Sequence, residues 1–402
     1  MVEKSISLFG REIIRVERNR LGEFSYTFLE GGEFQNNEKY LELSLTNPVL
    51  NTIVSLRSSL YSQMRIKHLD ANGKEKASSP YLDLLKNPNF FQTQEDFLFQ
   101  QMWFLSVAGI NFIYQKKIFQ NDIPKGMYNL IPSEIDLKNT NKINKFIWTK
   151  QDIKAFGEKE IEYTLYNTIY RLKLNELIPL YDLANGLKPN TFFESPSRVK
   201  AIHKVLQNIE ANLSSKHKNL QFSAKYIGKN QSNGNEAQIQ PTDRTAIEKV
   251  LSSKDVLTTN ANIEYKHLVS DLKRLYLDEQ FADDANKCLL AFEMNKNVLN
   301  YFAKDSTFEN QSEGIISYIT NSLQTTANNT MNSLSQQWGL FEKGEKLVAS
   351  YDHLAVMQEV VNKKIASFME MQNAIKIGLE NQTLTQQEAK KMSDEFKMKL
   401  GL

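Results

Sequence analysis

One cysteine, Cys288, in 402 residues leaves no possible intramolecular disulfide, which fits a reducing compartment. It lies among apolar neighbours at helical spacing, so it reads as a small core residue and not a nucleophile. The five histidines, His68, His203, His217, His267 and His353, are scattered. None takes part in a His-Glu-x-x-His or Cys/His ligand spacing, so the sequence predicts no metal and no cofactor. A Gly-x-Ser-x-Gly elbow is missing. Gly228-Lys229 has no hydroxyl residue after it and no glycine ahead at phosphate-loop spacing, which argues against a nucleotide site there.

Charge of one sign is also scarce: 49 Lys and Arg against 47 Asp and Glu leave a net charge of +2. Tight nucleic-acid binding needs a cationic excess or a concentrated basic patch, and neither is visible. No apolar run approaches the roughly 20 residues that span a bilayer, and no cationic stretch followed by an apolar segment opens the chain. These absences predict a protein that stays in the cytoplasm where it is made. With 41% hydrophobic residues the length suffices for two or three domains with a substantial core.

What the chain does contain is organised around residues 270–339. Leu272, Leu275, Tyr276, Phe281, Ala285, Cys288, Leu289 and Phe292 recur mostly at steps of three and four, which predicts a helix. Ile316, Ile319, Leu323, Ala327, Met331, Leu334 and Trp338 keep that spacing for about six turns, with Gly339 as the stop. Between them Ser306 and Glu309 fit a capping box, so a new helix starts near this polar loop. From Glu313 to Glu342 there is no charged residue, and the face opposite the stripe carries Ser317, Asn321, Gln324, Thr325, Asn328, Asn329 and Asn332. Amides and hydroxyls there suit a surface that faces protein or passes a moving polyanion without gripping it; a merely polar exterior is the plain alternative.

Elsewhere 24–28 and 40–45 read as strands, and Pro48 opens a helix with Val49, Ile53, Leu56 and Leu60 on one side. Asn72-Gly73 marks a hairpin turn, and Pro80 starts a short helix. Thr93 with Asp96 caps a helix that Gly109 ends, before a strand over 110–118. Strands follow at 161–165, 169–174 and 177–183. Ser195-Pro196 then opens a helix with the stripe Val199, Ile202, Leu206, Ile209 and Leu213. A polar stretch at 221–240, a helix at 244–251 and strands at 255–257 and 263–268 make a small module between two long helices. Met357, Val361, Ile365, Phe368, Ile375 and Leu379 share a side of a later helix, and Thr385 with Glu388 caps the last one.

Four segments, in this order, carry a resemblance: "SSPYLDLLKNPNFFQTQEDF", "VAGINFIY", "MYNLIPSEIDL" and "NAIKIGLENQTLTQQEAKKM". Together, over residues 48–392, they resemble the portal (head–tail connector) proteins of tailed bacteriophages, in a compact branch. The departures are Ile110, between Gly109 and Asn111, and Phe112 where the family has alanine. The resemblance implies an α+β, mainly α-helical fold. It implies a mixed α/β wing at 1–194, a first stem helix at 195–220 and a small α/β clip at 221–268. A second stem helix at 269–300, a tunnel loop with a long wing helix at 301–341 and a helical crown at 342–402 would follow. It further implies a homo-oligomeric ring, a dodecamer, at one capsid vertex, with a channel for DNA packaging and ejection. The partners would be other copies of the chain, double-stranded DNA passing without sequence preference, the terminase large subunit, the major capsid protein and a head–tail adaptor, with no membrane. The protein would belong to the virion, be assembled in the host bacterial cytoplasm, and carry out no bond chemistry.

The resemblance matches Lys304, Asp305, Ser306, Thr307, Phe308, Glu309, Asn310 and Gln311 to the loop that projects into the channel. Asp278, Glu279, Asp283 and Asp284 admit three readings: a solvated acidic helix face, a phosphate-repelling wall of the ring, or metal ligands of a nuclease. Ile316, Ile319, Leu323, Met331 and Leu334 are the candidates for the contact between subunits. The alternatives to the ring are a metal-dependent nuclease built on the acidic cluster and a helical structural adaptor.

Overall fold

The computed structural model describes residues 4–8, 11–18, 24–28, 35–117, 123–137, 149–187, 193–222, 226–230, 263–267, 277–299, 308–381 and 385–400. The chain forms two compact units, one joining Met1–Lys200 to Phe292–Leu402 and the other comprising Ala201–Ala291. The architecture is α+β and mainly helical, with short antiparallel sheets.

In the larger unit β1 (Lys4–Leu8), β2 (Arg11–Arg18) and β3 (Phe24–Phe28) form a meander. Helices α1 (Gln35–Thr46) and α2 (Pro48–Ser62) follow. The segment 40–45, expected as a strand, is therefore helical: Ser44 is buried, and its hydroxyl accepts from the Trp103 indole at 3.1 Å. Asn47 caps α2 by accepting the Leu50 N–H at 3.1 Å, and Pro48 sits in the first turn, where a missing N–H costs nothing. The buried face of α2 is Leu50, Ile53, Val54, Arg57 and Tyr61, so Leu56 and Leu60 are marginal and an arginine stands in the core.

Next come β4 (Arg65–Leu69), α3 (Pro80–Lys86) and α4 (Gln94–Ala108), which packs on α2. The capping box of Thr93 and Asp96 forms from both sides. Gly109 ends α4 at φ 77°, and a Cβ there would stand 2.6 Å from the Pro196 carbonyl oxygen. Only glycine fits both the conformation and the space. The turn at Gly73 forms, also at φ 77°, but its return strand amounts to one bridge, Leu69 to Glu75. The ladder of β4 is made instead with β13 (Lys346–Ser350), in a stretch read from the sequence as linker.

A second core lies under β5 (Ile110–Lys116), β6 (Gly126–Leu130), β7 (Ile135–Asp136), β8 (Glu160–Leu165), β9 (Thr168–Lys173) and β10 (Leu177–Tyr181). Its centre includes Phe112, Ile135, Ile161, Leu177 and Phe193. The β8–β9 hairpin is closed by Tyr166 and Asn167, both at positive φ, as a two-residue hairpin loop requires. Helix α5 (Lys150–Gly157) precedes it. Helix α6 (Arg198–Ala201) starts later than the Ser195-Pro196 reading placed it. Its first turn is held by Ser197, which accepts the Lys200 N–H and donates to the Val107 carbonyl at 2.5 Å.

The smaller unit holds α7 (His203–Phe222), the antiparallel pair β11 (Tyr226–Asn230) and β12 (Ile263–His267), and α8 (Leu277–Ala291). Helices α7 and α8 pack together; Leu206 and Ile209 on α7, and Ala285, Cys288 and Leu289 on α8, are buried. The helix expected at 244–251 and the strand at 255–257 lie outside the described residues.

The larger unit resumes with α9 (Phe308–Tyr318), one π-helical turn (Ile319–Leu323) and α10 (Gln324–Gln337), ended by Gly339 at φ 64°. Last come α11 (Ala355–Glu380) and α12 (Gln386–Leu400), with Thr385 and Glu388 bonded reciprocally as a capping box. On α11 Ile375 is buried, while Ile365 and Leu379 of the expected stripe face solvent.

Candidate functional site

The apolar stripe of the long helix is spent on the subunit itself. Ile319, Leu323, Met331 and Leu334 are at most 1% exposed within a single chain, and Ile316 is half-buried. Helix α10 packs on β10 and β13, and the Ser335 hydroxyl accepts the Leu347 N–H at 2.9 Å. The reading of these five side chains as a contact between subunits is therefore corrected: they form core. The opposite face behaves as expected. Ser317, Asn321, Thr325, Asn329, Asn332 and Gln336 are exposed at steps of three and four, a charge-free row about five turns long.

The π-helical turn had no signature in the sequence. It carries Ser322, whose hydroxyl donates to Glu293 Oε2 at 2.6 Å. Glu293 belongs to a buried ionic node that only the fold assembles. Arg57 donates to Asp182 at 2.5 and 3.3 Å, and Arg198 donates to Asp182 and, at 3.2 Å, to Glu293. The Phe292 ring lies 5.7 Å from the Arg57 guanidinium. Two positive and two negative charges balance. Burial alone would raise the Asp182 carboxyl, but the Arg57 and Arg198 charges outweigh it and hold the pKa below the usual carboxylate range. Burial acts the same way on Glu293, where the Ser322 bond and Arg198 outweigh it. Glu293 adopts φ 59°, a conformation that costs a non-glycine residue roughly 1–2 kcal/mol, offset here by its charge-assisted bonds. In sequence, Arg198 and Glu293 stand just outside the two points where the chain passes between units. An arginine inside the apolar run of α2 was the available signal for this node.

Of the expected channel loop, Lys304, Asp305, Ser306 and Thr307 lie outside the described residues. Phe308, Glu309, Asn310 and Gln311 are not loop but the first turn of α9, with Asn310 exposed.

The acidic cluster lies on α8 in the smaller unit. Glu279 and Asp283 are exposed, and the Asp284 side chain is mostly covered. Lys287 reaches back one turn to both aspartates, 2.7 Å from Asp283 and 3.0 Å from Asp284, and these bonds raise its pKa. One ammonium thus offsets half the charge of that pair, so the helix face is less repulsive than its carboxylates alone indicate. The side chain of Asp278 lies outside the described residues. Among the described residues no three of His, Cys, Asp and Glu converge as a metal site.

A third arrangement has the outline of a catalytic triad. His68 lies 2.7 Å from the Ser79 hydroxyl through Nδ1 and 3.0 Å from Glu345 through Nε2, and Lys76 holds the other Glu345 oxygen at 2.5 Å. Ser79 is 4% exposed and already accepts the Tyr81 N–H as the cap of α3. The group fastens β4 and α3 to the segment before β13, and offers no accessible nucleophile.

No protein-family model matches the chain, and no curated protein matches it in sequence. Solved structures do match in fold. A chain from the neck of an empty GTA particle, computed with C6 symmetry, aligns with TM-score 0.62 at 14% identity, over 82% of this chain and 89% of that one. One from the neck of a native GTA particle, computed with C12 symmetry, gives 0.61 at 13% identity over 90% and 93%. An HK97-family phage portal protein from Corynebacterium diphtheriae gives 0.52 at 12% identity over 76% and 93%. The chain has the portal fold.

Proposed function

We propose that the chain is the subunit of a portal: a homo-oligomeric ring, a dodecamer, at one vertex of a phage or phage-like capsid. The observation that carries this is the length of the fold likeness, which takes in nearly the whole chain and includes a phage portal protein and necks computed with C6 and C12 symmetry. The ring would pass double-stranded DNA inward during packaging and outward at ejection. It would dock the terminase large subunit first and a head–tail adaptor later, and sit against the major capsid protein. The virion is its place, after assembly in the host cytoplasm. Among the described residues no helix is long and apolar enough to cross a membrane.

Physically, a duplex presents one phosphate charge about every 1.7 Å, so a wall that is to let it slide must not neutralise it. The charge-free row on α9 and α10 and the carboxylates of α8 are surfaces of that kind. The loop at 304–307, ahead of α9, is assigned to the channel. The role is structural and needs no bond chemistry. The nuclease reading loses two of its four carboxylates to Lys287.

Negative-stain imaging and native mass spectrometry of the purified chain test the proposal. Rings of about twelve copies are expected, in keeping with closed cyclic symmetry. A chain that stays monomeric under every assembly condition refutes it. Deleting residues 304–307 should leave rings intact and impair DNA packaging or retention; normal packaging removes the loop from the channel.

A further inference from the structure

Phe90 and Phe91 stand out of the short loop between α3 and α4, 91% and 61% exposed. The loop is firmly held. Asn89 accepts the N–H groups of Phe91 and Gln92 at 3.2 and 3.0 Å, and its side-chain nitrogen donates to the Met127 carbonyl at 3.0 Å. The Met127 N–H in turn donates to the Pro88 carbonyl at 2.7 Å. A row of carboxamides continues inward. Gln92 donates to Gln100 at 3.1 Å, Asn129 to the same oxygen at 3.4 Å, and the fully buried Asn111 to Asn129 at 2.7 Å. The two phenyl rings meet edge to face at 4.9 Å, and Phe91 lies 6.1 Å from Tyr128. The result is an aromatic ridge on a scaffold rooted in the core.

Aromatic groups fixed in place before binding lose little freedom when covered, which is how interface hot spots are built. The flanking Asn87, Pro88, Asn89 and Gln92 are uncharged, so an identical copy meets no like-charge repulsion there. A partner that comes and goes must meet a surface that stays soluble when bare, and such interfaces are no more apolar than ordinary surface. Two bare phenylalanines suit a contact that stays filled. In a closed ring of heterologous contacts each copy presents one face and receives another. We infer that the Phe90–Phe91 ridge is a contact between neighbouring copies of this chain, an inference that rests on the ring proposed above.

The test compares the full-length wild type with the double variant F90S/F91S and with I153S, an exposed apolar residue elsewhere on the same unit. Mass by sedimentation and thermal melting are read together. Wild type and I153S should form rings, while F90S/F91S stays monomeric with an unchanged melting temperature. Rings from F90S/F91S overturn the inference and leave the ring itself standing; if those rings then fail to enter capsids, the ridge meets a capsid protein instead. Should F90S/F91S not fold, F90C decides. Its thiol is the accessible one, since Cys288 is buried, and maleimide labelling should slow at least about tenfold in the ring, where water is excluded. An equal rate in ring and dissociated subunit overturns the inference. A wild type that never assembles overturns the ring reading first.

Discussion

Arg57 and Asp182, 125 residues apart in the chain, meet at 2.5 Å with both side chains sealed from solvent. Neither charge is tolerable there alone, so the ends of α2 and β10 are tied to each other and, through Arg198 and Glu293, to the two chain crossings between units.

Arg57→Met should cost about 3–5 kcal/mol in urea unfolding, because Asp182 keeps its charge in the core with only Arg198 beside it. R57M/D182N should lose less than R57M alone, since the uncompensated carboxylate is gone. A larger loss in the double variant would mean that the pair is not what links these elements.

Gly73 and Gly109 share φ 77°, but a Cβ at Gly73 meets nothing within 4 Å while one at Gly109 meets the Ser195 and Pro196 carbonyls. Gly73→Ala should therefore cost only the roughly 1–2 kcal/mol of the left-handed backbone. Gly109→Ala should exceed that by several kcal/mol, as a clash in a packed site does. Equal urea midpoints for the two variants would contradict the packing of Pro196 on the end of α4.

His68 should make stability fall in mildly acidic solution. Burial, and then the nearby Lys76 charge, lower its folded pKa below the ordinary 6.5. Between the two values the unfolded chain binds a proton that the folded chain refuses, so the stability present above pH 6.5 is lost as the pH falls below it. The carboxylates of Asp182, Glu293 and Glu345, also lowered, add their loss only at more acidic pH. Unfolding of wild type and H68Q from pH 7.5 to 5 checks this, the slope just below 6.5 being present in the first and absent in the second.

Leu323→Asp places a carboxylate at a position with no exposure and should abolish the folded subunit, seen as lost circular dichroism. Asn329→Asp, on the exposed charge-free row, should fold normally. A folded but monomeric L323D would restore the stripe as a subunit contact.

The features legible beforehand are those set within one turn of chain. Thr93 with Asp96, Thr385 with Glu388, and the glycines at 109 and 339 announced their caps and breaks because donor and acceptor lie three or four residues apart. Ser195 misled because Ser197 offers the same chemistry two residues on, and packing of Val107 chose between them. The candidate site was less legible. The acidic residues of α8 were evident, but Lys287 was overlooked as their partner, although its spacing was in plain view. The node around Asp182 joins residues from five separate segments and had only Arg57 to advertise it.

By itself the sequence determined where helices begin and end, which residues form apolar stripes, and the order of elements that resembles a portal. Those depend on backbone chemistry and on spacing, which are local. The tertiary structure decided what covers each stripe, which strand β4 pairs with, and which polar groups meet in the core. A helix side buried by its own chain and one buried by a neighbouring copy carry the same periodicity, so only the packed chain tells them apart.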